Sequence, residues 1–181
     1  MKVGIFSEPF SIAQLFGLLS FALGLSTFYQ KDDRRLKIVM LTLNLNHLIH
    51  YLLMGSSVSA LSSLLSAFRT ATAIYLTPQW LSPKWAAAFF VIASTLFGLS
   101  IADSIWDLWP ILGTAIGSYA VFMLQGIKMR LAFLVGASCW LINNIMLGSI
   151  GGTLLELSAI SVNLFTITRL IRDQKRMMVE S

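Results

Sequence analysis

His47-Leu48-Ile49-His50-Tyr51-Leu52-Leu53-Met54-Gly55-Ser56 aligns without a gap on Trp140-Leu141-Ile142-Asn143-Asn144-Ile145-Met146-Leu147-Gly148-Ser149, ninety-three residues further on. The register continues past the Gly-Ser pair, where Leu61 falls on Leu154 and Leu64 on Leu157. Two apolar stretches in one register indicate a duplicated unit. Many membrane transporters are built from such units, with the substrate held between the halves near the bilayer midplane.

Composition identifies the solvent. The chain is 56% hydrophobic and 12% charged, with mean hydropathy +0.77, whereas soluble domains carry about 25% charged residues. Its apolar residues come in runs near the ~20 residues needed to cross ~30 Å of hydrocarbon, not in the alternations of a half-buried surface. This is the pattern of a polytopic helical membrane protein. The one cysteine, Cys139, excludes an internal disulfide. Only Lys2 precedes the first run and no small-x-small site follows it, so no cleavable signal is expected.

Seven spans are predicted, at 11–30, 36–54, 57–76, 85–102, 108–126, 130–148 and 151–171. Lys31-Asp32-Asp33-Arg34-Arg35 cannot stay in hydrocarbon and ends the first. Gly55-Ser56-Ser57 and Gly148-Ser149-Ile150-Gly151-Gly152 are tight turns between long apolar runs. Thr77-Pro78-Gln79-Trp80-Leu81-Ser82-Pro83 stops the third span, because proline lacks a donor and disfavours helix before it. Asp103 to Asp107 divides the fourth from the fifth, and Pro110 suits a first turn.

With seven spans, Lys31, Arg34, Arg35, Lys37, Arg69, Lys84, Lys128, Arg130, Arg169, Arg172, Lys175 and Arg176 all fall on one side. Glu8, Asp103 and Asp107 fall on the other, with Lys2. The positive-inside rule then puts the C-terminus in the cytoplasm and the N-terminus in the periplasm. The net charge of +5 therefore reflects topology. Its division over four short loops argues against a nucleic-acid partner.

The expected architecture is all-α: a three-helix bundle (11–76), a linker span (85–102), a second three-helix bundle (108–171) and a cytoplasmic tail (172–181). Three spans are an odd number, so the linker is what makes the two bundles parallel, related by an axis along the membrane normal.

This 3+1+3 layout, with Gln30 and Gln125 before each basic loop and a Gly-Ser turn before each third helix, resembles the SWEET/PQ-loop superfamily. The whole chain is more closely similar to the YgjV family of bacterial inner membrane proteins, in length and in Tyr29-Gln30-Lys31-Asp32-Asp33-Arg34-Arg35-Leu36-Lys37. The PQ motif's proline is replaced by Tyr29 and Leu124, and spans one, two and six lack the hinge prolines of SWEET transporters. Rocking would have to hinge at glycines such as Gly17, Gly24, Gly113, Gly117 and Gly136. In bacterial half-SWEETs a Trp eight residues before the turn glycine and an Asn eight after it line the sugar site. The resemblance places His47 and Ser63 at those positions in the first unit, and Trp140 and Glu156 in the second. Eight residues descend ~12 Å at ~1.5 Å each, close to the midplane.

A carboxylate at that depth costs ~2.5–3.5 kcal/mol even on lenient scales. Glu156 either faces a cavity or partner, as a substrate or proton group, or sits higher as a solvated residue of a helix start. His47 and His50 share a face with Asn46 and Tyr51. They read as a substrate or proton-relay surface or as hydrogen-bonded packing, and without a third ligand they do not make a metal site. Arg69 either snorkels to headgroups or faces the centre. Asn163, Asn143, Asn144, Asn44 and Asn46 are interhelical glue by default, and their convergence on one axis would favour a polar path; Asn163 joins His47, His50, Ser63, Trp140 and Glu156 as the expected substrate-binding residues. Ser59, Ser62, Ser63, Ser66 and Thr70 read as close-packing residues, and Trp80, Trp85, Trp106 and Trp109 as interfacial anchors.

No nucleophile elbow, HExxH pair, P-loop or glycine-rich nucleotide motif occurs in the chain, so neither an enzyme nor a cofactor is expected. The expected partners are the lipid bilayer and a small polar substrate of unknown identity, and homo-oligomer formation stays open. The favoured function is a facilitator or proton-coupled transporter, with Gln30, Gln125 and Arg69 in gating or topology. The alternative is a non-transporting receptor or assembly factor, which a closed axis with His47 paired to Glu156 would favour.

Overall fold

Each helix start and stop has a local cause. In the computed structural model, which describes residues 11–75 and 82–180, α1 (Ile12–Tyr29) is capped by Ser11, whose side chain accepts from the Gln14 amide. α2 (Asp33–Leu53) is capped by Asp32, which accepts from the Arg35 amide, so it starts three residues earlier than the predicted 36. α3 (Ser57–Tyr75) follows, and α4 (Pro83–Ser100) carries proline in its first turn. A 3-10 turn (Ile105–Asp107), closed by a capping box between Ser104 and Asp107, leads into α5 (Leu108–Met123). α6 (Gly126–Leu147) also begins earlier than the predicted 130, and α7 (Ile150–Glu180) runs through the expected tail as continuous helix. Lys2, Glu8 and the Thr77–Leu81 turn with Trp80 lie outside the described residues.

The two Gly-Ser turns are built identically. Gly55 and Gly148 take left-handed φ of 74° and 68°, conformations that cost a residue with a Cβ about 1–2 kcal/mol. The Ser56 amide donates to Tyr51 O at 3.0 Å and the Ser149 amide to Asn144 O at 2.9 Å. Each serine side chain then accepts an amide of the next helix, from Ser59 and Gly152 respectively. The result is a Schellman stop followed directly by a serine cap.

Six helices form a ring in the order α1, α2, α3, α5, α6, α7, with α7 closing on α1. α4 stands outside this ring, packed on α5 and more lightly on α3. The tightest junction is α1 on α7. A Cβ on Gly151 would strike the Gly17 backbone, and one on Gly24 would strike Leu155. Gly113 and Gly117 likewise admit Trp140 and Arg69. Four of the five glycines expected as hinges thus serve close approach between helices.

Polarity is distributed inside out. Phe89, Ile92, Leu96, Leu131, Val135 and Phe165 are exposed, while Asn44, His47, Arg69, Arg130, Asn144 and Glu156 are buried. Such a surface requires an apolar solvent, and the protein is a lipid-embedded helical one. Among the described residues, α2, α4, α6 and α7 are long and apolar enough to cross a membrane, with α1 a shorter apolar helix. α3 carries Arg69 and a run of serines, and α5 is 16 residues long, which explains why they fall short of that measure.

Candidate functional site

Helices α2 and α6 are not neighbours in the ring, yet their side chains meet across its centre. At one end the Tyr51 hydroxyl donates to Asn144 Oδ1 at 2.8 Å, and at the other the Gly126 amide donates to Asp33 Oδ2 at 3.1 Å, each pair being 93 residues apart. Between them the His47 and Trp140 rings, in the same register, stack at 6.4 Å. Leu36 with Met129, and Met40 with Phe133, share one buried cluster and repeat that offset.

A cavity of about 80 Å³ opens between these levels, room for several waters or a small solute. Along α2 it is lined by Met40, Leu43, Asn44 and His47, and along α6 by their four counterparts Phe133, Gly136, Ala137 and Trp140. Arg69 and Ser66 come from α3, and Leu155 and Glu156 from α7. α5 contributes Gly113 and Gly117, whose missing side chains make the space that Trp140 and Arg69 occupy.

Both charged groups are buried, each 6% exposed. Arg69 Nη1 donates to Thr114 O at 2.8 Å and Ser118 Oγ at 3.2 Å, while its Nε has no partner. The side chain therefore lies across α5 and does not snorkel to the headgroups. Glu156 makes no hydrogen bond or ion pair among the described residues, and it does not pair with Arg69. His47 Nε2 is buried without a partner.

The remaining candidates lie elsewhere. His50 is fully buried and held by both ring nitrogens, 2.7 Å from Ala13 O and 2.8 Å from Ser149 Oγ. A carbonyl only accepts, so Nδ1 carries hydrogen and the ring braces α1 against the second turn. Ser63 is buried, with an unpartnered hydroxyl, away from the cavity lining. Asn163 Nδ2 donates to Arg130 O at 2.8 Å and joins α7 to α6. The Gln30 side chain turns back to Ser26 O, and Gln125 is an exposed residue capping α6 without a side-chain bond, so neither reaches the cavity. Asn44, though it borders the cavity, ties α2 to α3, and Asn46 ties α2 to α1. Among the described residues, no three potential ligands gather to hold a metal.

Two important residues carried no special signal in the sequence. Gln14 bonds both Gly148 O and the Ile150 amide at 3.2 Å, satisfying backbone groups at the α6–α7 turn. Arg130, counted above only as a loop charge, is fully buried and donates to Gln30 O and Lys31 O.

Packed side chains flank the cavity along the α2–α6 register. Above it, Tyr51 stacks on Trp140 at 5.5 Å beneath a second recess of about 280 Å³, lined by Gly55, Asp103, Asp107 and Asn143. Below it lie Leu36, Met129 and Val121. Tyr51→Phe deletes the bond to Asn144, and membrane helix–helix hydrogen bonds are worth about 0.5–1.7 kcal/mol. The variant should melt a few degrees lower in detergent, and an unchanged melting temperature would remove this bond from the packing above the cavity.

A closed helical ring with an apolar exterior and a charged interior defines an integral membrane protein. The family described as "bacterial inner membrane protein", Imp-YgjV, matches residues 11–174. The chain is also 33% identical over 165 residues to Inner membrane protein YgjV of Escherichia coli (strain K12), covering 91% of this chain and 87% of that one. It belongs to the YgjV family of bacterial inner membrane proteins. No solved structure matches it.

Proposed function

We propose that the chain is a multi-pass carrier of a small polar metabolite, with seven spans arranged 3+1+3 around the central cavity and no catalytic role. The observation that carries this is the matched lining: four residues of α2 and their four counterparts on α6 line one cavity. Counterparts that meet at several heights, from Asp33 to Tyr51, fit parallel halves related by an axis along the membrane normal. The order of helices around the ring repeats in the same way, α1 to α3 and then α5 to α7. These features support a SWEET-like plan with α4 as linker.

The two ends differ as the orientation requires. Lys31 pairs with Asp173 of α7 at 2.6 Å, and Arg130 reaches the α1–α2 loop, so the basic loops gather at one end, read as cytoplasmic. Asp103 and Asp107 line the recess at the Gly55 end, read as periplasmic. A carrier cycle would open the Tyr51–Asn144 and Leu36–Met129 contacts in turn. The receptor or assembly-factor alternative called for a closed axis with His47 paired to Glu156, and here a cavity lies on that axis and the two side chains stay unpaired.

The test is solute uptake into proteoliposomes, after a thermal-shift screen of polar metabolites on purified protein. Glu156→Gln should cut uptake at least about tenfold, a loss of ~1.4 kcal/mol. Uptake that is unchanged and pH-independent would remove Glu156 from the mechanism, and no uptake of any solute that shifts the melt would sink the carrier.

A further inference from the structure

The cavity is lined by one basic and one acidic side chain that do not pair with each other. Arg69 and Glu156 come from α3 and α7, which stand opposite one another in the ring. Neither has a counter-ion: Arg69 is met by a carbonyl and a hydroxyl, and Glu156 by no hydrogen-bonding partner among the described residues. Leaving a buried charge uncompensated is strongly unfavourable, and a low-dielectric interior favours closing the pair directly. Two opposite charges held apart on facing walls are instead complementary to something that fits between them.

We infer that the site binds a small zwitterion, with its carboxylate toward Arg69 and its ammonium or quaternary ammonium toward Glu156. This rests on the carrier reading for its biological meaning, though the binding itself does not. With both groups ionised against a bound solute the walls sum to zero net charge, so a solute that is itself neutral overall and strongly dipolar satisfies both. An anion would meet Glu156, a cation would meet Arg69, and a sugar would leave both charges without a counter-ion. The planar guanidinium suits a carboxylate, and Trp140 lines the same cavity as Glu156. The cavity of about 80 Å³ restricts the solute to a few heavy atoms between its two charges.

The test is equilibrium binding of radiolabelled glycine, L-alanine and glycine betaine to the purified full chain in detergent, competed with acetate, methylammonium and glucose. At least one zwitterion should bind and resist all three competitors. Arg69→Gln and Glu156→Gln should each weaken binding at least about tenfold. Arg69→Lys and Glu156→Asp keep the charges, so they should retain part of the affinity and separate a lost charge from a lost fold. Acetate, methylammonium or glucose competing as well as the zwitterion would overturn the inference, and so would a folded protein that binds none of the three probes. Zwitterion binding without uptake would sink the carrier reading and leave this one standing. Uptake of sugar without zwitterion binding would do the reverse.

Discussion

Gly151→Ala is expected to abolish the folded protein. The new methyl group would sit inside the van der Waals envelope of the Gly17 carbonyl carbon and oxygen and the Leu18 amide. These are backbone atoms in the middle of α1, so no rotamer change makes room. α1 and α7 would have to part along the junction that closes the ring. The penalty should be about 3 kcal/mol or more, at the upper end for overpacked sites. Size-exclusion chromatography of the detergent-solubilised variant should show aggregate or no protein. Gly55→Ala is the control: it has open space around it and pays only for its φ of 74°. A Gly151→Ala protein that elutes and melts like the parent would show that α1 and α7 are not in contact as described.

Arg130→Ala should be nearly as damaging. The Arg130 side chain is fully buried and ties α6 to the α1–α2 loop through three acceptors, Gln30 O at 2.9 Å, Lys31 O at 3.2 Å and the Asp33 carboxylate at 3.5 Å. Truncation strands two carbonyls and leaves Asp33 with only the Gly126 amide. Unsatisfied buried acceptors cost about 1–3 kcal/mol each, and these part-buried loop carbonyls fall toward the lower end because water can reach them. Asp33 is 30% exposed and recovers some hydration, so about 2–4 kcal/mol is expected in all. Arg130→Lys should rescue little, because one ammonium cannot reproduce the planar fork. Thermal melts of the three proteins decide it, and a lysine variant as stable as the parent would reduce Arg130 to a surface charge.

The turns and the repeat register were legible because their signals are local. A glycine followed by a capping serine dictates the same stop in both units, and hydropathy marks the helices between them. Of the four positions the half-SWEET resemblance implied, His47, Trp140 and Glu156 line the cavity and Ser63 does not. What escaped depends on partners far along the chain. Arg69 finds its acceptors 45 and 49 residues away, and Gln14 reaches 134 and 136 residues to a turn it stabilises. His50 and His47 sit three apart with the same side chain, yet one is locked by Ala13 and Ser149 and the other borders the cavity with a free nitrogen. Only the ring's closure distinguishes them. Arg130 was misread because a cation near a predicted helix end looks like topology until a loop folds over it.

Two identical subunits related by a dyad must set each residue on that dyad against itself. Their seam would oppose carboxylate to carboxylate and hydroxyl to hydroxyl, unless it is merely greasy. Covalent fusion lifts this restriction, and the present chain exploits it: a phenol faces an amide oxygen, an aspartate faces a glycine N–H, and an imidazole faces an indole. Only the greasy contacts, Leu36 against Met129 and Met40 against Phe133, are of a kind that a self-paired half could also have made. On the carrier reading proposed above, unlike side chains are free to meet at these levels of the α2–α6 seam.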